Sequence, residues 1–450
     1  MTRTIRIGNG QGFWGDSVDA PMRMVQGGPL DYLTLDYLAE VTMSIMQRQK
    51  MKSPDKGYAS DFVRFIDRIL PDLVKRGVKV IANAGGVNPK ACQQAIVNSV
   101  RRHGISGMKI AIVHGDNIMD RLDEFRERGE HLANMDTGES LFAKPREILS
   151  ANVYMPTQPM VDALATGAQI VITGRGTDPG LVLAPIMYEF GWSTPDQLAL
   201  GTIAGHILEC GAQSTGGNFT RWREVPDMDD LGYPIAEVSE EGRVTITKHE
   251  ATGGMVTVDT VSEQLLYEMG DPKNYITPDC VADFTSIQLS PSGQDRVTVT
   301  GVKGQPHTPF LKVSISYLDG YKATGQLTIS GPDAYEKAQK CADIVWRRLK
   351  RAGFTYEDTL TEYLGVGVCH EGIVPQATSA PEVVLRLAVK DHNRDAVDRF
   401  GQEIAPLVTS GPPGVTGFAG GRPKPQEIVA YWPALIRREL IESHVDVVEV

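Results

Sequence analysis

The chain has 450 residues, with 45 Lys and Arg residues against 56 Asp and Glu residues and a formal net charge of −11. A chain of this length is expected to form two or three domains, and its acidic balance argues against binding to nucleic acid or to an anionic membrane surface. The chain has five cysteines without a C-x-x-C pair, which predicts free thiols. It shows no signal-peptide pattern and no run of about 18 apolar residues, so we expect a cytoplasmic protein.

The first half of the chain alternates short apolar runs with helical patterns. The runs, which predict strands, span residues 4–7, 32–35, 78–82, 109–113 and 169–172. Helical patterns span residues 61–76 and also extend to about residues 50, 103 and 190. This alternation predicts an α/β fold, in which helices flank a parallel sheet. The loops that follow parallel strands meet at one edge of the sheet, where ligands bind.

The second half of the chain has a different pattern. Thr/Val/Ile alternation at residues 243–248 and 255–259 predicts β-rich insertions. Beyond residue 300 we expect a hairpin around Asp319-Gly320, a helix over 333–352, a strand over 382–390 and a helix over 393–406. The sequence therefore predicts a parallel-sheet α/β domain at residues 1–300 and a smaller α+β domain at 301–450 that closes over the strand-end loops.

The loop after the first run contains a literal G-x-G-x-x-G pattern from Gly10 through Gly12 to Gly15, and Asp36 follows 21 residues later. Such a pattern can indicate dinucleotide binding when it opens a helix. The bulky Phe13 and Trp14 in the turn argue against that function. A tight glycine turn, or a loop that binds another phosphate or carboxylate, explains the pattern as well.

Candidate catalytic groups follow the predicted strands. The carboxylates at these positions can transfer protons, bind Mg²⁺ or cap the next helix; they are Asp16, Asp36, Glu40 and Asp178. His206 and Glu209 are three residues apart and would share a helix face. That pair fits either a metal site with further ligands or a simple hydrogen-bonded pair. The neighbouring Cys210 is either a nucleophile or a small buried apolar residue.

Candidate ligand-binding groups lie in the glycine-rich loops. Arg175, between two glycines, suits a bidentate anion but could equally pair with Asp178. Asn83 and Asn88 flank Gly85-Gly86 and offer either oxyanion donors or helix caps. Further candidates could bind an anion through loop amides; they are Gly10, Gly12, Gln213, Thr215, Gly216 and Gly217. Two cations, Arg422 and Lys424, lie in a loop that is either a lid over an anionic substrate or a solvated turn.

Six motifs occur in a characteristic order: IGNGQGFWGD (7–16), LDYLAE (35–40), NAGGVNP (83–89), TGR (173–175), HILECGAQ (206–213) and GFAGGRPK (417–424). Together they resemble the acyclic terpene utilisation (AtuA-like) family over nearly the whole chain. The resemblance implies a role in the catabolism of acyclic terpenes and other branched acids through acyl-CoA intermediates. It also leaves room for a separately encoded small subunit as a partner.

These observations lead to an expected function. We expect a homo-oligomeric enzyme that hydrates, dehydrates or isomerises a carboxylate or acyl-CoA thioester of a branched acid, which needs a proton-transfer group and donors for an anion. This chemistry requires no redox cofactor, CoA would enter as part of the substrate, and the need for a divalent metal stays open. The alternatives are a non-catalytic acyl-CoA-binding subunit of a partner carboxylase or hydratase, and an NAD(P)-linked dehydrogenase.

Overall fold

The computed structural model describes residues 2–417 and 420–450 apart from residues 376 and 378, and it describes only the backbone of Glu40. The chain divides into two compact units: unit 1 comprises Met1–Ser316 and Tyr431–Val450, and unit 2 comprises Tyr317–Ala430. Within the described part of the chain, every helix is too short or too polar to cross a membrane.

The strands, in chain order, are β1 (Thr4–Gln11), β2 (Tyr32–Leu35), β3 (Lys79–Ala82), β4 (Lys109–His114), β5 (Ile148–Val153), β6 (Ile170–Thr173), β7 (Ile235–Ser239), β8 (Val244–Thr247), β9 (Tyr275–Ile276), β10 (Cys280–Asp283), β11 (Gln288–Gly293), β12 (Arg296–Thr300), β13 (Lys303–Pro306), β14 (Phe310–Ser330), β15 (Asp358–Leu364), β16 (Glu382–Asp391), β17 (Val415–Gly417), β18 (Gln426–Arg437) and β19 (His444–Glu449).

The α-helices are α1 (Ala20–Gln26), α2 (Glu40–Lys52), α3 (Ser60–Arg76), α4 (Pro89–Arg102), α5 (Leu122–Glu127), α6 (Gln158–Ala165), α7 (Gly180–Phe190), α8 (Pro195–Glu209), α9 (Val258–Leu266), α10 (Ala334–Arg351), α11 (Arg394–Ile404) and α12 (Leu407–Ser410).

Unit 1 is organised around a ten-stranded sheet with the order β11-β12-β8-β7-β1-β2-β3-β6-β4-β19. Its central strands β1, β2, β3, β6 and β4 are parallel, and the strands on both sides pair antiparallel. The mixed α/β fold class predicted from the sequence is thereby confirmed. Because the five central strands point the same way, the loops after them lie at one edge of the sheet.

Helices cover both faces of this sheet. The successive strand residues Val80 and Ile81 point to opposite faces and belong to different apolar clusters. Ile207 of α8 belongs to the same apolar cluster as Ile81 on one face, and Ile66 of α3 belongs to the same cluster as Val80 on the other. The near-continuous apolar character of the central strands follows from this burial on both sides.

Unit 2 has its own core. Antiparallel strands β15, β16 and β14 are paired in that order, and β14 also pairs with β17. Helices α10 and α11 pack on them through buried residues such as Val345 and Phe400. The hairpin predicted around Asp319-Gly320 is wrong, because β14 continues through both residues and pairs with β16 from Tyr321 onward.

A second local prediction is also wrong. Residues 255–259 do not form a strand, since α9 begins at Val258 and Thr257 caps it by accepting a hydrogen bond from the Thr260 amide at 3.2 Å. The β-branched residues of this segment therefore belong to the capped N-terminus of a helix and not to a strand.

Candidate functional site

A cavity of about 990 Å³ opens in unit 1 at the edge where the parallel strands end. We call it the strand-end cavity. Its volume is at the upper end of the range for small-molecule sites. The residues that line it are Gly12, Phe13, Trp14, Asp16, Asp36, Tyr37, Leu38, Ala39, Thr42, Met135, Tyr154, Arg175, Thr177, Asp178, Pro179, His206, Glu209, Cys210, Ala212, Gln213, Gly217, Asn218, Tyr233, Tyr267, Glu268, Tyr275, Ile276, Thr277, Pro278, Thr308, Phe310, Leu311, Lys312 and Leu435.

Asp36 directly follows β2 and is 5% exposed. Its Oδ1 accepts hydrogen bonds from Asn83 Nδ2 at 2.6 Å and from the Leu38 amide at 3.1 Å. Burial raises the pKa of the Asp36 carboxyl well above its ordinary value, and the charge of Asp178 raises it further, whereas Asn83 and Arg175 act in the opposite direction. The side chain is therefore a carboxylic acid that keeps its proton at a higher pH than an exposed aspartate.

Arg175 follows β6 and organises the neighbouring wall. Its Nη1 donates to the Leu38 carbonyl at 3.0 Å and to Asp178 Oδ1 at 2.6 Å, while its Nη2 donates to the Tyr154 hydroxyl at 3.0 Å. The backbone amide of Arg175 donates to buried Asp116 Oδ2 at 2.9 Å. The alternative that the sequence left open, pairing with Asp178, is the one observed. Arg175 thus fixes Asp178 and Tyr154 in place.

His206 and Glu209 form a pair at the end of α8, where their spacing places them on one helix face. The distance from His206 Nδ1 to Glu209 Oε1 is 2.8 Å, and the His206 side chain is 2% exposed. Burial raises the pKa of Glu209 to about 7, although the nearby histidine opposes this rise. Burial alone would lower the pKa of His206, but the charge and hydrogen bond of Glu209 raise it overall. A pair of this kind can take up or release a proton near neutral pH.

The first glycine loop packs against the end of α8. An ideal Cβ on Gly12 would lie 2.6 Å from the Gly211 nitrogen and 2.7 Å from the Cys210 carbonyl carbon, so only glycine fits there. Asp16 Oδ2 accepts from the Gly12 amide at 2.9 Å, and its Oδ1 accepts from the Tyr233 hydroxyl at 2.6 Å. The loop does not lead directly into a helix, because α1 begins only at Ala20.

The cysteine next to this loop is a poor nucleophile. Cys210 is half-buried and follows α8, and burial raises the pKa of its thiol to about 12. Nucleophilic cysteines usually have a lowered pKa. All five cysteines are free, as the sequence predicts.

Large apolar side chains surround the opening of the cavity. Phe13 and Ile276 are each 61% exposed, and Met135, Phe310 and Leu435 are also exposed. Exposed apolar residues that cluster at a cavity are a common feature of binding sites for apolar ligands. Lys312 adds a cation, with its Nζ 4.9 Å from the centre of the Tyr154 ring.

The structure brings nine of the predicted site residues together in the lining of the strand-end cavity. They are Gly12, Asp16, Asp36, Arg175, Asp178, His206, Glu209, Gln213 and Gly217. This convergence agrees with the expectation that loops after parallel strands share one edge. The backbone of Glu40 begins α2, but its side chain lies outside the described residues.

Other predicted residues lie behind the lining or elsewhere. Asn83 holds Asp36, and Asn88 Nδ2 donates to the Pro54 and Lys56 carbonyls at 2.9 and 2.7 Å. Thr215 Oγ1 is buried and donates to the Ala212 and Gly232 carbonyls. The remaining glycines lie at turns or close contacts. Gly10 lies where the register between β1 and β2 shifts, Gly85 and Gly86 follow β3, and Gly216 adopts a left-handed backbone conformation. Arg422 and Lys424 are exposed in unit 2.

Sequence reasoning missed several residues of this site. Asp116 follows β4, so the same argument from strand ends could have found it. Tyr154 directly follows β5 and Lys312 lies on β14, which pairs with β5; the Tyr154 amide donates a hydrogen bond to the Lys312 carbonyl at 2.9 Å. Tyr275, whose ring centre is 5.4 Å from that of His206, lies on the short strand β9. No local sequence signal marks these last three residues. Among the described residues, no group of three or more His, Cys, Asp or Glu side chains is arranged to hold a metal ion.

Comparison with known proteins identifies the family. No curated protein matches the chain. A family model described as "Acyclic terpene utilisation family protein AtuA" matches residues 5–447, which is nearly the whole chain. The match covers all of the motifs on which the resemblance was based. The chain therefore belongs to the acyclic terpene utilisation (AtuA) family.

Proposed function

We propose that the protein is an enzyme that hydrates, dehydrates or isomerises a branched unsaturated acid or its CoA thioester by proton transfer. Three features support this proposal: the strand-end cavity, its apolar opening and the acid–base groups that face it. Membership of the AtuA family agrees with a substrate derived from an acyclic terpene.

One electrostatic observation carries the proposal. The charge of Asp178 raises the pKa of both Asp36 and Glu209, although these residues come from different elements. Asp178 therefore influences both of the other carboxyl groups from its position in the lining of the same cavity. Neighbouring carboxyl groups with raised pKa values are typical of sites that transfer protons.

The roles of the residues follow from their surroundings. Asp36 serves as the acid, because burial raises its pKa well above the ordinary value, and Asn83 donates to Oδ1, which leaves Oδ2 as the proton-donating oxygen. The His206–Glu209 pair serves as the base, because burial raises the pKa of Glu209 to about 7, and accepts the proton that the substrate or the attacking water releases. Arg175 positions Asp178, and the apolar opening binds the hydrocarbon part of the substrate. Such a reaction adds or removes water or moves a proton without net oxidation or reduction, so it is balanced without an electron acceptor.

The test is turnover in D₂O with the purified protein and a panel of branched unsaturated acids and their CoA thioesters. Mass spectrometry would detect added water, and NMR would locate any deuterium that becomes bound to carbon. We expect Asp36→Asn and Glu209→Gln each to reduce the rate by about 10²–10⁴-fold. The matched controls Asp123→Asn and Glu127→Gln, which change exposed carboxylates on α5, should retain full activity.

Binding without reaction would overturn the proposal. If the acyl-CoA thioesters stabilise the protein against heating but no water or deuterium is incorporated, the non-catalytic acyl-CoA-binding subunit becomes the better explanation. If NADH instead binds, as detected by its fluorescence, the dehydrogenase alternative gains support.

A further inference from the structure

The strand-end cavity carries an excess of acidic groups. Besides the acid Asp36, its described lining contains four carboxyl groups, from Asp16, Asp178, Glu209 and Glu268, against the cations Arg175 and Lys312 and the imidazole of His206. Helix α8 also ends here at Glu209, and the carbonyl end of a helix carries a partial negative charge. Beside these groups, positive charge in the hydrocarbon part of the ligand is favoured over negative charge.

The donors that an enolate would need are already engaged by the protein. Arg175 donates to Leu38, Asp178 and Tyr154, and Asn83 donates to Asp36. Gly85, which the sequence suggested as part of an oxyanion hole, is not among the lining residues; its amide donates to the Thr173 carbonyl at 3.0 Å. Stabilisation of an enolate depends on donors aimed at the developing oxyanion, and these groups are directed at protein acceptors.

Aromatic rings are unusually frequent around the cavity. Eight of the 34 lining residues are Phe, Trp or Tyr, about a quarter, whereas aromatic residues make up 7% of the chain. Tyr275 contacts both His206 and Phe284, with ring centres 5.4 and 4.9 Å away. The faces of aromatic rings attract cations, most strongly where water is excluded.

The acid–base groups keep atoms without a protein partner. No donor among the described residues reaches Asp36 Oδ2, although Asp36 is 5% exposed. His206 Nε2 and Glu209 Oε2 are buried and likewise lack a hydrogen bond within the described part of the chain. Buried polar atoms are rarely left in this state unless a ligand or water satisfies them.

We propose that Asp36 protonates an isolated, electron-rich carbon–carbon double bond in the branched chain of the substrate, and that the acidic and aromatic wall stabilises the resulting tertiary carbocation. This inference rests on the proposed function and specifies which part of the substrate reacts. The trisubstituted double bonds of acyclic terpenes give tertiary cations when the less substituted carbon is protonated, which agrees with the family.

The step balances as follows for hydration. The π electron pair forms a new C–H bond with the proton of Asp36 Oδ2, whose bonding pair remains on the carboxylate. A water lone pair then forms the C–O bond to the cationic carbon. One water proton passes to the His206–Glu209 pair, and its bonding electrons remain on oxygen. Exchange with solvent returns the proton to Asp36, so the net change is the addition of H₂O to the double bond.

Binding of a charged mimic tests the inference without turnover. The probe is a branched alkyl chain that ends in a trimethylammonium group, and its neutral partner carries a tert-butyl group of nearly the same shape. Calorimetry with the full chain should show at least tenfold tighter binding of the ammonium compound. Tyr275→Leu and Asp178→Asn should each reduce this preference severalfold, whereas Tyr275→Phe, which keeps the ring, and the exposed control Glu127→Gln should retain it.

A kinetic measurement provides an independent readout. Replacing a methyl group on the carbon that becomes cationic with trifluoromethyl should slow turnover by at least a hundredfold, because it destabilises a carbocation. Equal binding of the ammonium and tert-butyl compounds, or undiminished turnover of the fluorinated substrate, would overturn the inference. If turnover and its dependence on Asp36 persist in that case, the proposed function stands and only the cationic step is wrong.

Discussion

Arg175 illustrates how a single buried side chain can hold a site together without touching the reacting atoms. It follows β6, is 2% exposed, and joins Asp178, Tyr154 and the Leu38 carbonyl, which belong to three different segments. A planar guanidinium can make these bonds at once because its donors have fixed directions, whereas an ammonium group cannot reproduce them.

We therefore expect Arg175→Lys to lower both activity and stability. The charge next to Asp178 remains, but the Tyr154 hydroxyl and the Leu38 carbonyl lose donors in a buried setting, at a cost of about 1–3 kcal/mol. Chemical denaturation and turnover measure the two effects. Arg64→Lys is the matched control, because Arg64 is exposed and pairs with Asp61 on the surface, where such pairs contribute about 0–1 kcal/mol. Equal losses in both variants would contradict the role given to Arg175.

The Asn83–Asp36 hydrogen bond leads to a prediction about pH. Asn83 donates to the ionised carboxylate and lowers its pKa, in opposition to burial. Asn83→Ala removes this donor, so the pKa of Asp36 should rise further and the acid should keep its proton to a higher pH. Carboxyl ¹³C NMR titration would show the change, and the high-pH limb of the activity profile should move upward with it.

Asn98→Ala serves as the control for that experiment, since Asn98 is exposed on α4 away from the cavity lining. A pKa of Asp36 that falls in Asn83→Ala, or that moves equally in both variants, would show that the hydrogen bond does not act on the ionised form.

At the scale of elements, the approach of β1 to the end of α8 determines the shape of the cavity. Gly12 lies against the backbone of Cys210 and Gly211, and Asp16 stabilises the loop by accepting a hydrogen bond from the Gly12 amide. A side chain at Gly12 would push the loop away from the segment that carries Glu209. The neighbouring atoms belong to the backbone, so they cannot move aside as the end of a flexible side chain can.

Gly12→Ala should therefore destabilise the protein by about 1–3 kcal/mol, as overpacking typically does. It should also weaken binding of the ammonium probe, because the wall beside Glu209 moves. Thermal denaturation and calorimetry measure these effects. Gly270→Ala is the matched control, since a Cβ at Gly270 would meet no heavy atom within 4 Å. If both alanine variants are equally stable, the close approach at Gly12 is not essential.

The elements also show what the sequence could predict. The strand over residues 32–35 and the helix over 61–76 were found because each has a strong local pattern that burial then satisfies. The i, i+3 spacing of His206 and Glu209 likewise predicted that they share a face of a helix, where they are found on α8. The hairpin around Asp319-Gly320 was wrongly predicted because this dipeptide is typical of a turn. Hydrogen bonding of β14 to β16, which is distant in the sequence, instead keeps these residues within one continuous strand. The local sequence around a residue does not indicate which distant strand it will pair with.

For the whole molecule, pairing between distant segments was the main feature that the sequence did not reveal. Residues 301–450 were expected to form one C-terminal domain, yet β19 pairs with β4 of the ten-stranded sheet, more than 300 residues earlier. Tyr154 and Lys312 reached the site through comparable long-range pairing. By contrast, the shared edge of the parallel strands was predictable, because chain order and strand direction alone determine it.

The buried acids should also leave a signature in the stability of the whole molecule. Burial raises the pKa of Asp36 above that of an unfolded aspartate, which is about 4. Between these two values the native state holds a proton that the unfolded chain releases, so the free energy of unfolding falls as pH rises. Asp36→Asn removes the ionisable group but keeps an acceptor for Asn83. The variant should therefore gain stability relative to the parent protein as pH rises above about 4.

Chemical denaturation at several pH values measures this difference, and the raised pKa of Glu209 cancels because both proteins contain it. Asp123→Asn, at an exposed position on α5, should show a difference that stays flat with pH. A gain for Asp36→Asn that shrinks as pH rises would show that the native state stabilises the ionised carboxylate. If the gain grows instead while turnover is lost, then the protein keeps an acid that costs stability, as expected for a group retained for its chemistry rather than for folding.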